Sequence, residues 1–383
     1  MSQSARIALL ALALPAFQLT GITGAAAGPS NLPMAGAAGI APNPARLPVA
    51  VFGRDDRRIM IGRKSHLRDR IGLLTHRVTK SVCTAFCVGR DVVATAGHCV
   101  VGTSSQPGID PAELRFKPDS KPGLGVAVRG ARVGAAGRHI LSGASHLNTR
   151  PPINATSDWA FLRLERPVCP AVGLTISRQS ADDVVENASQ GLVYHVAYHR
   201  DLAHWKLAVA RPCMMLPKRQ SGSEEAISRD FDNSDDLLLH TCDTESASSG
   251  SPLLIDGENG PEVVGINVGT YVRSRVITHD GEIVQRLASE IIANTALLAA
   301  PLAGRIARFA AADLLDKPAD IAEVQRRLAL KGYFTGDLDG HFGPVTRAAI
   351  AAYEASLEQP VTGLATRQLL ERLAIPQSAN AAR

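Results

Sequence analysis

Between Ile71 and Gly281 the apolar positions fall in short runs: Val92–Ala96, Ala160–Leu164, Gly191–Ala197, Lys206–Ala210 and Pro261–Val268. The runs are rich in Val, Ile, Leu and Thr. Turn pairs such as Pro107-Gly108, Pro122-Gly123 and Asp256-Gly257 separate them. Short apolar runs bounded by turn residues predict many β-strands closed into a barrel or sandwich. Residues 284–310 change to helical character, ending in an Ala/Leu/Arg stretch, and are expected to close this large domain over 68–310. A connector at 311–319 contains Pro318. Beyond it, Val324, Leu328 and Leu330 precede a turn at Gly332-Tyr333. Helices are expected over 344–357, where Pro344 suits a first helical position, and over 365–373. The unit at 320–375 is just large enough for one three-helix core.

The N-terminal stretch reads differently. One charge, Arg6, precedes an apolar segment from Ile7 to Phe17, and small residues follow up to Ala25-Ala26-Ala27. That layout predicts a secretory signal peptide over 1–27. The apolar segment is short and interrupted by Pro15, so no transmembrane segment is expected in the mature chain. Residues 28–67, rich in Gly, Pro and Ala and then in Arg, lack periodicity and read as a linker or pro-segment. Export makes disulfides available to the six cysteines, and spacing alone leaves their pairing open. The expected location is secreted or periplasmic, in association with the cell wall.

Composition adds little beyond an exclusion. The formal net charge of +5 arises from 41 Lys and Arg against 36 Asp and Glu, with no run of five or six like charges. Nucleic acid is therefore not an expected partner.

The candidate chemistry is nucleophilic. A serine hydroxyl needs a base to take its proton, a carboxylate to orient the base, and donors for the oxyanion. Thr95-Ala96-Gly97-His98-Cys99 places His98 at the end of an apolar run. Ser157-Asp158-Trp159 places a carboxylate before another, and Ser246-Ala247-Ser248-Ser249-Gly250-Ser251-Pro252 places a hydroxyl in a tight loop. Singly, each is an ordinary core or turn residue. Together, in the order His98, Asp158, Ser249 at spacings of 60 and 91 residues, they read as a catalytic triad.

The segments Cys83 to Cys99, Ser157 to Leu164 and Cys242 to Leu254 resemble the signature regions of trypsin- and chymotrypsin-like serine proteases, nearest their bacterial V8-like, glutamyl-endopeptidase-type branch. The resemblance implies a mainly β fold of two six-stranded antiparallel barrels with the cleft between them. It implies His98 as general base and then acid, Asp158 as its orienter, Ser249 as nucleophile, and the backbone N–H groups of Ala247 and Ser249 as oxyanion donors. It also implies a Cys83–Cys99 bridge beside the histidine, with Cys213–Cys242 as a second. Cys87 and Cys169 are left bridged or free.

Three departures matter. Ala247 stands where the family has glycine, and its Cβ restricts the backbone, so the oxyanion hole is expected to form on substrate binding. Ser248 stands where Asp or Asn is usual. Asn267 stands where glutamate-specific members have histidine, so glutamate specificity does not carry over. Asp243 is either the floor of an Arg/Lys pocket or a structural residue, with Thr244, Asn267 and Gly269 completing the candidate pocket.

Metal readings are weaker. Cys83, Cys87, His98 and Cys99 have unusual zinc spacing, and His195, His199 and His204 lack a carboxylate partner. No metal or organic cofactor is expected.

Val324 to Leu328, Gly332-Tyr333-Phe334-Thr335-Gly336 and Leu338-Asp339-Gly340-His341-Phe342-Gly343-Pro344 resemble the peptidoglycan-binding domain 1 family. That family is a three-helix fold that binds bacterial cell wall. In this chain Tyr333 and Phe342 are expected to pack the core. The reading is an exported serine endopeptidase acting on proteins or peptides through an acyl-enzyme, with peptidoglycan as a second partner. The alternatives are a catalytically weak binding protein on the same scaffold and a hydrolase of peptidoglycan stem peptides.

Overall fold

The computed structural model describes residues 50–101, 110–144, 146–202, 205–216, 224–279 and 282–374. The expected signal peptide, residues 28–49 of the expected linker or pro-segment, Pro107-Gly108 and His204 lie outside these residues. Strands in chain order are β1 (Arg58–Ile59), β2 (Ile71–His76), β3 (Val82–Cys87), β4 (Val92–Thr95), β5 (Leu114–Pro118), β6 (Val126–Ala127), β7 (Ile140–Ser142) and β8 (Ala160–Arg163). They continue as β9 (Thr175–Ile176), β10 (Tyr194–Ala197), β11 (Ala208–Ala210), β12 (Leu237–His240), β13 (Pro252–Gly257), β14 (Gly260–His279) and β15 (Glu282–Leu298). Helices are α1 (Ala181–Ser189), α2 (Glu224–Asp230), α3 (Ala303–Ala311), α4 (Pro318–Leu330), α5 (Pro344–Ser356) and α6 (Arg367–Ala374).

Two sheets result. The first runs β6-β5-β2-β3-β4-β8-β7; the second runs β1-β11-β10-β13-β14-β15-β12, with β9 beside β14. Only the β9–β14 pairing is parallel among the named strand pairs. The expected mainly β class is what the chain adopts. The sheets have seven and eight strands rather than six each. Set aside the two-residue strands β6, β1 and β9, and six remain in each. In β5, Leu114 and Phe116 point inward and Arg115 and Lys117 are half-buried, the period-two pattern of a strand with one wet face. Strands β2, β3 and β4 are buried almost throughout, so they read as unbroken apolar runs.

The helix expected over 284–310 is corrected. Residues up to Leu298 form β15, and the helix begins only at Ala303. Ala- and Leu-rich composition favours a helix locally, but Asn294–Leu297 are paired with β14 on one edge and β12 on the other. Two ladders of hydrogen bonds outweigh propensity.

A free linker does not describe residues 50–67. β1 pairs with β11. Met60 N–H donates to the Leu207 carbonyl at 2.8 Å, and Leu67 is wholly buried in the main core. The Arg57 side chain is only 3% exposed and is held by Asp55 and Asp201.

Helices α4, α5 and α6 enclose a separate core of Ile321, Val324, Leu328, Phe334, Ile350, Tyr353, Leu369 and Leu373. Pro344 is the first residue of α5, as expected. Tyr333 packs edge-on against Tyr353 at 5.4 Å, and Arg347 lies over the Phe342 ring at 4.9 Å. The buried Gln325 amide spans the 339–341 loop, donating to Asp339 and the His341 carbonyl and accepting from Gly340 N–H. Gly340 has φ +70, and a Cβ there would stand 2.5 Å from the Pro318 carbonyl. Glycine is required.

The 311–319 connector is not loose. Leu314 and Leu315 are buried, and Leu315 N–H donates to the Ala365 carbonyl at 2.9 Å. Arginines join this helical unit to the first sheet in both directions. Arg138 donates to the Asp316 carbonyl at 2.6 Å, and Arg347 donates to the carbonyls of Gly137 and Ile140. Arg129 pairs with Asp316 at 2.6 Å. No described helix is long and apolar enough to cross a membrane.

All six cysteines are bridged: Cys83–Cys99, Cys213–Cys242, and Cys87–Cys169, the pair left open by the sequence. Cys87–Cys169 closes the longest loop, with a separation of 82 residues. Chain-entropy reasoning gives this bridge about 4 kcal/mol. The Cys87→Ala/Cys169→Ala variant is expected to lose stability on that scale in a urea titration, with the other two bridges intact.

Candidate active site

His98 sits in a single helical turn, Gly97–Cys99, directly after β4. The Cys83–Cys99 bridge ties that turn to β3. Asp158 ends the Ala155–Ser157 turn just before β8, and β8 pairs with β4 through Thr95 and Ala160. Strand pairing therefore brings base and carboxylate together. One Asp158 oxygen accepts from His98 backbone N–H at 2.8 Å, and the other meets His98 Nδ1 at 2.8 Å. A carboxylate only accepts, so Nδ1 carries the proton and Nε2 keeps its lone pair. Burial by itself would lower the His98 pKa; the charge of Asp158 and its hydrogen bond outweigh burial and raise it.

Ser249 lies in the loop between β12 and β13. Its carbonyl accepts from Thr84 N–H at 2.9 Å and lies 3.9 Å from the Cys99 sulfur, so the loop abuts the residue after His98. Among the described residues no hydrogen bond joins the His98 ring to the Ser249 hydroxyl. Gly250 has φ +82, and a Cβ there would stand 2.5 Å from the Thr84 carbonyl and 2.6 Å from Ala96 N, and would overlap the Thr95 hydroxyl. The loop packs backbone against backbone at this point.

The loop's carbonyls are pinned inward. Ser246 oxygen accepts from Arg200 N–H at 2.8 Å. Ser248 oxygen accepts from Ser251 N–H at 3.0 Å, the Ser251 hydroxyl at 2.5 Å and the Asn267 amide at 3.2 Å. In a trans peptide the N–H points opposite to the carbonyl. The N–H groups of Ala247 and Ser249 therefore point away from those anchors. Ala247 stands at φ +83, a left-handed conformation that costs a residue with a Cβ about 1–2 kcal/mol.

The candidate pocket residues are largely committed elsewhere. Asp243 is buried; its two oxygens accept from the backbone N–H groups of Phe52 at 2.8 Å and Asp56 at 2.9 Å. Of the two readings for Asp243, these bonds favour the structural one. Thr244 N–H donates to the Ala50 carbonyl. The Asn267 oxygen accepts from His240 Nε2 at 3.1 Å while its amide holds Ser248. Gly269 remains half-buried on β14.

Of the two metal readings, the cysteine one does not survive. Cys83, His98 and Cys99 are the only group of described residues close enough to share an ion, and the two sulfurs are already bonded to each other. His195 and His199 are buried with rings 6.0 Å apart, and His240 lies 6.3 Å from His195. His195 Nε2 meets the Ser251 hydroxyl at 2.5 Å. That hydroxyl donates to Ser248, so His195 is the donor here. His195 and His240 thus brace the loop that carries Ser249. Sequence reasoning missed this support, along with Thr84 and Arg200, because their partners lie far away in the chain. The only signal was the clustering of histidines.

Residues 83–266 match the family model of the trypsin-like peptidase domain, and residues 317–373 match that of the peptidoglycan binding domain. No curated protein sequence matches the chain. Among solved structures it is similar to the secreted serine protease VesC from Vibrio cholerae, at 16% identity and a TM-score of 0.42, covering 64% of this chain and 46% of that one. The chain thus spans less than half of VesC. It is also similar to a Glu endopeptidase solved with MPD, at 15% identity and a TM-score of 0.40, covering 68% of this chain and 99% of that one.

Two outcomes are expected from this geometry. Gly250→Ala should cost more than about 3 kcal/mol in a denaturant titration, because backbone cannot yield as a side-chain tip can. The second outcome concerns pH. Burial, ahead of all other causes, holds His195 well below the usual histidine range, His199 at about 3 and His240 at about 4. The folded state thus keeps them neutral, while the unfolded chain takes up protons below about pH 6.5. Stability is full above that pH and falls as the pH drops, by up to about 2 kcal/mol per histidine at pH 5. Replacing His199 with Phe should flatten the fall in melting temperature between pH 7 and pH 5.

Proposed function

We propose that this chain, whose trypsin-like peptidase domain is that of a serine-type endopeptidase and whose helical unit is a peptidoglycan-binding domain, is exported and cleaves proteins by a triad of His98, Asp158 and Ser249. The observation that carries the reading is the two-point grip of Asp158 on His98, at 2.8 Å on both the backbone N–H and Nδ1. Such a grip leaves Nε2 able to take a proton from a hydroxyl brought to it. Hydrogen bonds between base and nucleophile are often long in unliganded enzymes and tighten with substrate.

In this mechanism His98 Nε2 removes the Ser249 proton as the hydroxyl oxygen attacks the scissile carbonyl carbon. The Ala247 and Ser249 N–H groups receive the negative charge on the carbonyl oxygen. The imidazolium, stabilised by Asp158, then gives its proton to the leaving amine, and an acyl-enzyme on Ser249 remains. Water enters, loses a proton to Nε2, and frees the acid and the serine hydroxyl. Each step uses groups of this chain and water alone. Asp243 and Asn267 are engaged within the protein, so the pocket offers no free charge from these two side chains, and neither acidic nor basic selectivity is proposed from them.

The export reading is supported by three bridges in one chain and a wall-binding family match. Its direct test is the N-terminal sequence of the protein recovered from outside the cytoplasm.

A serine-reactive phosphonate is expected to label the wild type and not Ser249→Ala, and His98→Ala should cut turnover by about three orders of magnitude or more. The raised His98 pKa predicts that kcat/KM climbs with pH through an inflection above about 6.5, since the base works only when neutral. Unchanged turnover in His98→Ala would remove it from the mechanism. Release of wall fragments instead of protein peptides would turn the reading to a stem-peptide hydrolase.

A further inference from the structure

Thr84 lies on β3 of the first sheet, fully buried, 163 residues away from the loop it touches. Its hydroxyl donates to the Ala247 carbonyl oxygen at 2.7 Å. The acceptor side of that hydroxyl is taken by Tyr198 backbone N–H at 3.1 Å, which aims the proton at Ala247. Thr84 N–H meanwhile donates to the Ser249 carbonyl at 2.9 Å. One residue thereby holds the carbonyls on both sides of Ser248.

The position of the bond gives it meaning. Ala247 is held at φ +83, where an alanine is disfavoured and a glycine is not. Its two flanking peptide planes are both tethered, the first by Arg200 N–H on Ser246 oxygen and the second at both ends, by the Thr84 hydroxyl on Ala247 oxygen and by Ser248 N–H on Glu245 oxygen at 3.0 Å. A residue between two fixed planes has fixed φ and ψ. The Ala247 oxygen has no other hydrogen-bond donor among the described residues. With the Thr84 tether cut, only the Ser248 N–H bond still holds the second plane, and relaxation of the alanine toward negative φ requires turning one of the two peptides. Turning the first swings the Ala247 N–H out of the site, and turning the second displaces the chain leading to Ser249.

We propose that Thr84 is a positioning residue for oxyanion stabilisation, its hydroxyl holding Ala247 in the backbone conformation that a glycine would take unaided. The proposal rests on the peptidase reading above. It also accounts for an alanine at this position. The first sheet supplies the restraint that the backbone lacks.

The test is a double-mutant cycle, with kcat and KM measured per folded molecule on the fluorogenic peptide that the wild type cleaves fastest in a mixed library. Thr84→Val should lower kcat by about ten-fold or more while KM stays within about two-fold, and Thr84→Ser should recover kcat to within about three-fold of wild type. In the Ala247→Gly background, the same Thr84→Val change should cost less than about three-fold, because glycine has little strain to release. Thr84→Ala supplies a second measurement where the valine variant folds poorly. An unchanged kcat in Thr84→Val, or an equal loss in both backgrounds, overturns the proposal. So does unfolding of both Thr84→Val and Thr84→Ala, which would give the hydroxyl a role in the fold alone. An inactive wild type would instead overturn the peptidase reading.

Discussion

The site depends on one close contact between the two sheets: the backbone of the Ala247–Ser251 loop lies directly against the backbone of β3 and β4. The contact exists because Gly250 has no Cβ, and it is stitched by Thr84 N–H on the Ser249 carbonyl and the Thr84 hydroxyl on the Ala247 carbonyl. The seam is what carries the Ser249 loop against the strand pair that leads to His98. It is polar and hydrogen-bonded across the contact, which lets backbone groups sit inside an apolar core that spans both sheets.

Around the seam the protein uses buried polar side chains as a frame for the loop. Ser248 oxygen has three donors, and these are in turn oriented by His195 and His240. Satisfied networks of this kind hold one geometry where apolar packing would tolerate several. The cost falls on the histidines, which give up protonation to remain inside. The N-terminal segment completes the frame at Asp243, from a part of the chain that precedes the first sheet.

The triad residues stood out in the sequence because each sits in a short motif whose order and spacing are rarely met together. Pro344 and the glycines of the helical unit were legible for a similar reason, since single residue types there satisfy a local backbone demand. What stayed hidden was set by distant partners. Asp243 could be a pocket floor or a brace until Phe52 and Asp56, at separations of 191 and 187 residues, were found on its carboxylate. The segment 284–298 has a helical composition and becomes a strand because two neighbours demand it. Residues 50–67 lack periodicity, yet they are ordered by contacts with β11 and the cores rather than by any pattern of their own. Thr84 is one threonine among many until its hydroxyl is seen to face Ala247.

The arginine contacts between the helical unit and the first sheet bear on reach. Arg138 and Arg347 each extend a guanidinium across the boundary to carbonyls of the other side, and the connecting chain is itself buried. The first sheet and the helical unit are therefore fastened to one another rather than strung on a leash. Under the proposed function, a helical unit seated on a surface would hold the cleft at one height and one angle above it, and whatever is to be cut must present itself there.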